Sequence, residues 1–262
     1  MSAVLPGHDR PVDKLGGHWI LARVGKKVLR PGGRETTDYL LAHSPIAGHD
    51  VIEFAPGLGV TAAALLERGP ASYVGVDADP HAAAQLQSRI PATARTVVAD
   101  CAATGLPAAS ADVVIGEAML TMQTDRNKLA IMREAHRLLR PGGVYAIHEM
   151  GLAPEAIPEA VKVDIRKALA RSIRVNSRPL TLGEWARLAD EAGFDVVSVH
   201  DTSMGLLDPT RMLADEGVLG TVRIIINIAR QPDVRRRVLD MRRVFLANRD
   251  HLRGVGLILR KR

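Results

Sequence analysis

Glu53 closes a short apolar run, Val51-Ile52, and two glycines follow it four and six positions later, in Glu53-Phe54-Ala55-Pro56-Gly57-Leu58-Gly59-Val60-Thr61. Glycines at this spacing let a backbone approach a ligand closely and take turn conformations that a Cβ forbids. An acid at the strand end calls for a cationic partner. The pyrophosphate of a dinucleotide supplies none, whereas the amino group of a methionine moiety does. Asp77 follows Gly57 by 20 residues, where a ribose-binding acid belongs, and Gly57-x-Gly59-x-x-Ala62 also fits the loose dinucleotide fingerprint. These residues alone leave NAD and a sulfonium cofactor both open.

The elements that must position them read as a strand–helix alternation. Strands are expected at 51–54, 73–76, 96–99, 111–116 and 144–148, with Val113-Val114-Ile115 typical of a buried parallel strand. Helices are expected at 61–68, at 80–89 with Pro80 at its start, and at 126–140, where Leu129, Met132, His136 and Leu139 recur at helical spacing before Pro141-Gly142-Gly143. The alternation pauses over 154–174, an inserted helix, and resumes where Thr181 and Glu184 form a capping-box pattern and Gly193 ends the helix. Strands at 196–200 and 256–259 frame an Arg-rich helical stretch, 208–250. Ahead of all this, 15–29 and 34–43 read as helices, the latter entered through Pro31-Gly32-Gly33. Such units imply a parallel sheet with helices on both faces and ligands beyond the carboxyl ends of the strands. The expected fold is α/β: a Rossmann-like, seven-stranded, mostly parallel sheet with a helical cap.

Three features favour the sulfonium cofactor: Glu53 itself; Asp100, which closes the third strand in Val97-Val98-Ala99-Asp100-Cys101; and the run from Gly105-Leu106-Pro107 to Leu139-Arg140-Pro141-Gly142-Gly143. Asp100 could accept from an exocyclic amine such as adenine N6; a plain turn aspartate is the alternative. With these motifs in order, residues 50–150 resemble a class I S-adenosylmethionine-dependent methyltransferase of the small-molecule type, and 181–200 resemble it less fully. The resemblance implies that Glu53, Phe54, Ala55 and Gly57 hold the methionine end and that Gly59 allows close packing. It implies that Asp77 takes the ribose hydroxyls with Ala78 beside the adenine, that Asp100 and Cys101 meet the adenine, and that Glu117 lines the methionine and substrate side. Pro56 departs from the small or polar residue common at that position. Arg34, beside a turn resembling one that related enzymes fold over the cofactor, is a candidate for the cofactor carboxylate.

Methyl transfer needs in-line approach and desolvation more than covalent help, and a base only when the acceptor must lose a proton. His148 is the candidate catalytic base. His18, Trp19, Met119, Met122, Gln123 and Glu149 are candidates for the substrate pocket; packing beneath the cap is the alternative for the methionines. No Asn/Asp-Pro-Pro-aromatic motif marks amino methylation, Cys101 lacks the preceding proline of a pyrimidine C5 nucleophile, and no His or carboxylate spacing suggests a metal.

One cysteine excludes an intramolecular disulfide, nothing approaches 18 uninterrupted apolar residues, and residues 1–13 lack the apolar core of a signal peptide. A cytoplasmic protein with no membrane partner is expected. Basic ends, 13 Lys/Arg against 5 Asp/Glu in 211–262, admit an anionic partner, but aromatics at 3% supply few platforms for single-stranded nucleic acid. The reading is a single domain, 1–262, with a core at about 46–152, 181–205 and 254–262 and a cap from about 1–45, 153–180 and 208–250. It would methylate O, N or C of a small organic molecule using S-adenosyl-L-methionine, releasing S-adenosyl-L-homocysteine. An RNA methyltransferase and a non-catalytic cofactor-binding protein are the alternatives, and a homodimer is left open.

Overall fold

The computed structural model describes residues 11, 12 and 14–262. The stretch 1–13, read above as lacking a signal peptide, lies almost wholly outside them. Five strands run parallel: β1 (Asp50–Phe54), β2 (Ser72–Asp77), β3 (Ala94–Val98), β4 (Ala111–Glu117) and β5 (Leu139–Leu152). Their order is β3-β2-β1-β4-β5. β8 (Leu252–Lys261) lies antiparallel to β5, and β7 (Phe194–Ser203) lies antiparallel to β8 at the edge. The sheet has eight strands rather than seven. β5 continues four residues past the expected end, and Gly151-Leu152 pairs with a two-residue strand, β6 (Leu180–Thr181).

Central strands are apolar on both faces because helices cover both. On one face Val51, Val113, Ile115, Val144 and Ala146 pack under α2 (Gly33–Ala42), α3 (Val60–Leu66) and Leu86 of α4 (Pro80–Gln87). On the other, Ile52, Val114, Tyr145 and Ile147 meet α5 (Asp125–Leu138) and α7 (Leu182–Glu191). α7 carries the expected capping box, with the Glu184 amide donating to Thr181 Oγ1 and the Thr181 amide to Glu184 Oε2 at 2.8 Å. Arg140, in the turn between α5 and the body of β5, reaches Asp50 and Asp112 at 2.8 Å each and ties the amino ends of β1 and β4 together.

A second layer closes the carboxyl end of the sheet. α1 (Gly17–Arg23), α6 (Glu159–Ile173), α8 (Pro209–Arg230) and α9 (Pro232–Ala247) share one apolar cluster that includes Leu21, Ile165, Ile224, Val238 and Met241. A Cβ on Gly17 would sit 2.7 Å from Met241 Sδ and 3.1 Å from Ile173 Cβ, so glycine lets α1 settle between α6 and α9. α8 bends at Gly217, whose φ of 71° and ψ of 175° are non-helical. Residues 33–42, assigned to the cap from sequence, instead lie on the sheet, because Leu40 and Leu41 point into its core.

Candidate functional site

Between the sheet ends and the cap lies a cavity of about 300 Å³. Its sheet wall begins with the loop after β1. Ala55, Gly57 and Gly59 all have positive φ, at 50°, 53° and 76°. Ala55 holds this left-handed conformation at a cost of about 1 kcal/mol or more, anchored by its amide donating to Val76 O at 2.7 Å. Gly59 starts α3, where a Cβ would lie 2.8 Å from Leu86 Cδ1. Gly57 differs: the space a Cβ would take is open, with only Ala55 O near, at 3.9 Å. That space opens into the cavity as a cradle beside the end of β1.

Two glutamates face the cavity with opposite electrostatics. Glu53 is 4% exposed and accepts one hydrogen bond, from Tyr73 Oη at 2.6 Å. Burial pushes its carboxyl up to about 8, and the nearby Glu117 and Asp77 charges push the same way. Glu117, at the end of β4, is equally enclosed, but Arg30 and then His148 overcome the burial and hold it down at about 2. Arg30 Nη1 ion-pairs with Glu117 Oε2 and donates to Thr61 and to Thr37 Oγ1. Thr37 donates to Glu117 Oε1 at 2.6 Å. Asp77, at the end of β2, accepts from the amides of Asp79 at 3.0 Å and Gly57 at 3.4 Å, and burial raises its pKa. One buried carboxylate is thus neutralised within the protein, while Glu53 forms no ion pair among the described residues and feels Arg30 only as a minor opposing charge.

Of the residues singled out from sequence, Glu53, Ala55, Gly57, Asp77 and Glu117 share this wall; Met119, Met122 and Glu149, with His18 and Trp19 from α1, line the rest of the cavity. Others lie elsewhere. Arg34 is exposed and pairs with Asp38 at 3.6 Å; Arg30, four residues earlier, is the guanidinium that reaches the cavity. His148 is fully buried and both ring nitrogens meet acceptors, Glu117 Oε1 at 2.9 Å and the Pro31 carbonyl, leaving neither to take a proton from a substrate. Its role is to anchor. Glu149 is also spent internally, accepting from the amides of Met119, Leu120 and Thr121 and from the Thr121 hydroxyl, which fixes the loop after β4. Asp100 is exposed and takes the Ala102 amide at 2.8 Å, the turn arrangement. Cys101 and Phe54 pack in the sheet core, Ala78 is exposed, and Gln123 bonds Asn127 at 2.7 Å.

Sequence reasoning missed Arg30 and the strap that carries it. Residues 26–34 cross the cavity, held at several points. Glu216 accepts the amides of Lys27 and Val28 at 2.9 Å, and Asp215 accepts that of Arg34 at 2.8 Å. Fully buried Lys26 lies 3.5 Å from Glu216 and 3.7 Å from Asp215. The Gly32 amide donates to Met204 O at 2.8 Å. Backbone rests directly on backbone where Gly32 meets β8: a Cβ on Gly254 would lie 2.6 Å from Gly32 Cα. This explains the Pro31-Gly32-Gly33 turn. The only local signal for Arg30 was its place just before that turn.

No helix among the described residues is long and apolar enough to cross a membrane. The methyltransferase domain family matches residues 51–143. An uncharacterised protein of Haemophilus influenzae is 37% identical over 217 residues, 80% of this chain and 84% of that one. The ubiquinone biosynthesis O-methyltransferase of Pseudomonas aeruginosa is 32% identical over 181 residues, 65% of this chain and 75% of its own. Among solved structures, a putative sarcosine dimethylglycine methyltransferase from Galdieria sulphuraria superposes with a TM-score of 0.69 at 18% identity, covering 87% of this chain and 86% of that one. At that identity the likeness speaks for the fold alone.

Proposed function

The chain belongs to the class I S-adenosylmethionine-dependent methyltransferases, and from that premise we propose that it transfers a methyl group from S-adenosylmethionine to a small organic molecule. The observation that carries this reading is Glu53: a buried carboxylate raised to about 8, with no ion pair among the described residues, beside the open cradle at Gly57. A ligand ammonium group there would favour the ionised carboxylate and relieve that cost. The carboxylates fit the remaining parts of such a ligand. Asp77 would take the ribose hydroxyls, and the backbone from Ala55 to Gly57 would follow the methionine end. Arg30, paired with Glu117, borders the same space.

When bound, the cofactor supplies a methyl group on a positively charged sulfur, already activated for transfer. The chain's own contribution is position and dryness. The sheet wall orients one ligand through fixed strand ends, and the cap, through α1, α6 and α9, shields the other from water. The name of the Pseudomonas relative supports a small-molecule acceptor, since that protein is an O-methyltransferase of ubiquinone biosynthesis. Calorimetric titration with S-adenosylhomocysteine tests the reading. Saturable binding at one site per chain is expected, and no binding at millimolar ligand would overturn it.

A further inference from the structure

The sheet wall carries the carboxylates; the wall facing it is different in kind. Trp19, Met122, Met150, Leu206, Met241 and Phe245 make its surface, contributed by α1, the ends of β4 and β5, the segment before α8, and α9. Thioethers at three of these positions give a wall that adapts to an irregular apolar body. Charge is scarce there. Arg30 is neutralised by Glu117, Glu149 is saturated by four hydrogen bonds, and Lys27 is exposed to water at the rim. A charged ligand would therefore lose its hydration on this side without gaining a buried counter-charge.

A polar ring stands among these apolar side chains. His18 lines the cavity, and its ring lies 4.8 Å from that of Trp19. Among the described residues its ring nitrogens have no hydrogen-bond partner. Around it, Arg30, Thr121 and Glu149 are committed to partners within the protein. Burial lowers its pKa to about 4, so at neutral pH the imidazole is uncharged and one nitrogen is an acceptor.

We propose that the cap side of the cavity receives an uncharged, largely apolar molecule bearing a hydroxyl, and that the hydroxyl donates to a ring nitrogen of His18, which makes His18 a specificity-determining residue. The proposal rests on the methyl-transfer reading in one respect: this molecule is the acceptor. Apolar burial against the Met-rich wall supplies the affinity, and His18 selects the hydroxyl over other apolar bodies of the same shape.

The chain has two tryptophans. Trp185 is sealed in the sheet core at 0% exposure, so ligand-dependent emission reports on Trp19, and Trp19→Phe should abolish the signal. The probes are 4-tert-butylphenol, its methyl ether, 4-tert-butylbenzoate and 4-tert-butylbenzylammonium. The phenol should titrate saturably, with both ions binding at least about tenfold more weakly. His18→Leu should weaken the phenol by roughly five- to tenfold, the worth of one neutral hydrogen bond, and leave the ether within about twofold. His18→Gln, which keeps an acceptor oxygen, should restore most of the loss. Ions that bind as tightly as the phenol overturn the proposal, as does a His18→Leu variant that weakens phenol and ether equally. Should His18→Leu fail to fold, the ion series on the wild-type protein and the His18→Gln titration still decide it. Titration of S-adenosylhomocysteine on the same samples separates the two readings: binding of that ligand without discrimination among the probes sinks only the proposal, whereas its absence sinks the methyl-transfer reading whatever the probes do.

Discussion

Replacing Glu53 by glutamine should make the ligand-free protein more stable and the ligand complex weaker, and both effects follow from one buried carboxyl. In the fold, burial moves its pKa from the ordinary 4.5 to about 8. The folded state therefore binds the proton more tightly than the unfolded chain, and stability falls as pH rises from about 4.5, levelling off above about 8. Each decade of proton affinity is worth about 1.4 kcal/mol, so near pH 7.5 the group costs up to about 4 kcal/mol. Glutamine has the same shape, accepts from Tyr73, and never ionises. Urea unfolding of Glu53→Gln at about pH 8 should show a gain of roughly 2–4 kcal/mol that disappears near pH 5. Binding should move the other way. Loss of a charge-assisted contact should weaken S-adenosylhomocysteine by about 2–3 kcal/mol. Calorimetry near neutral pH in buffers of different ionisation enthalpy should show proton release on binding to the wild-type protein and none to the variant. A variant with the same relative stability at both pH values, or with unchanged affinity and unchanged proton release, would refute the reasoning.

Two further substitutions probe the strap. Arg30→Met should destabilise the protein by about 3–5 kcal/mol by stranding the buried Glu117 charge, and adding Glu117→Gln should recover at least half of that in a double-mutant cycle read by urea unfolding. Gly254→Ala places a methyl group 2.6 Å from Gly32 Cα, on backbone that cannot swing aside; it should cost about 1–3 kcal/mol and weaken S-adenosylhomocysteine by lifting the strap, with an unchanged melting temperature and Kd arguing against that contact.

The sheet wall was legible because its acids are tied to local pattern. Asp77 and Glu117 are the last residues of apolar strands and Glu53 the last but one, and the direction of a parallel strand puts its end at the ligand edge. Glycines at 57 and 59 announced the loop, and Thr181 with Glu184 announced α7. The rest depended on partners far away in the chain. His148 and Pro31 are 117 residues apart, so nothing near His148 reveals that its ring is already engaged. Glu149 looked like a pocket acid, yet its carboxylate belongs to amides 28–30 residues earlier. Choosing Arg34 over Arg30 had the same cause: sequence shows a turn with arginines on both sides, and only the path of the strap decides which one faces inward.

β8 follows β7 along the chain but lies between β5 and β7 in the sheet. During synthesis β5 is therefore made more than ninety residues before the strand that covers its edge, and β7 has no strand partner until residues 252–261 appear. The strap cannot come to rest earlier either, because Gly254 is the floor on which Gly32 lies. A ribosome-bound chain shorter than this has β1–β4 and the glycine loop but an open edge on β5, a place where another chain can add a strand. The cavity is thus closed over only once β8 is in place, and until then the edge of β5 is open to misassembly.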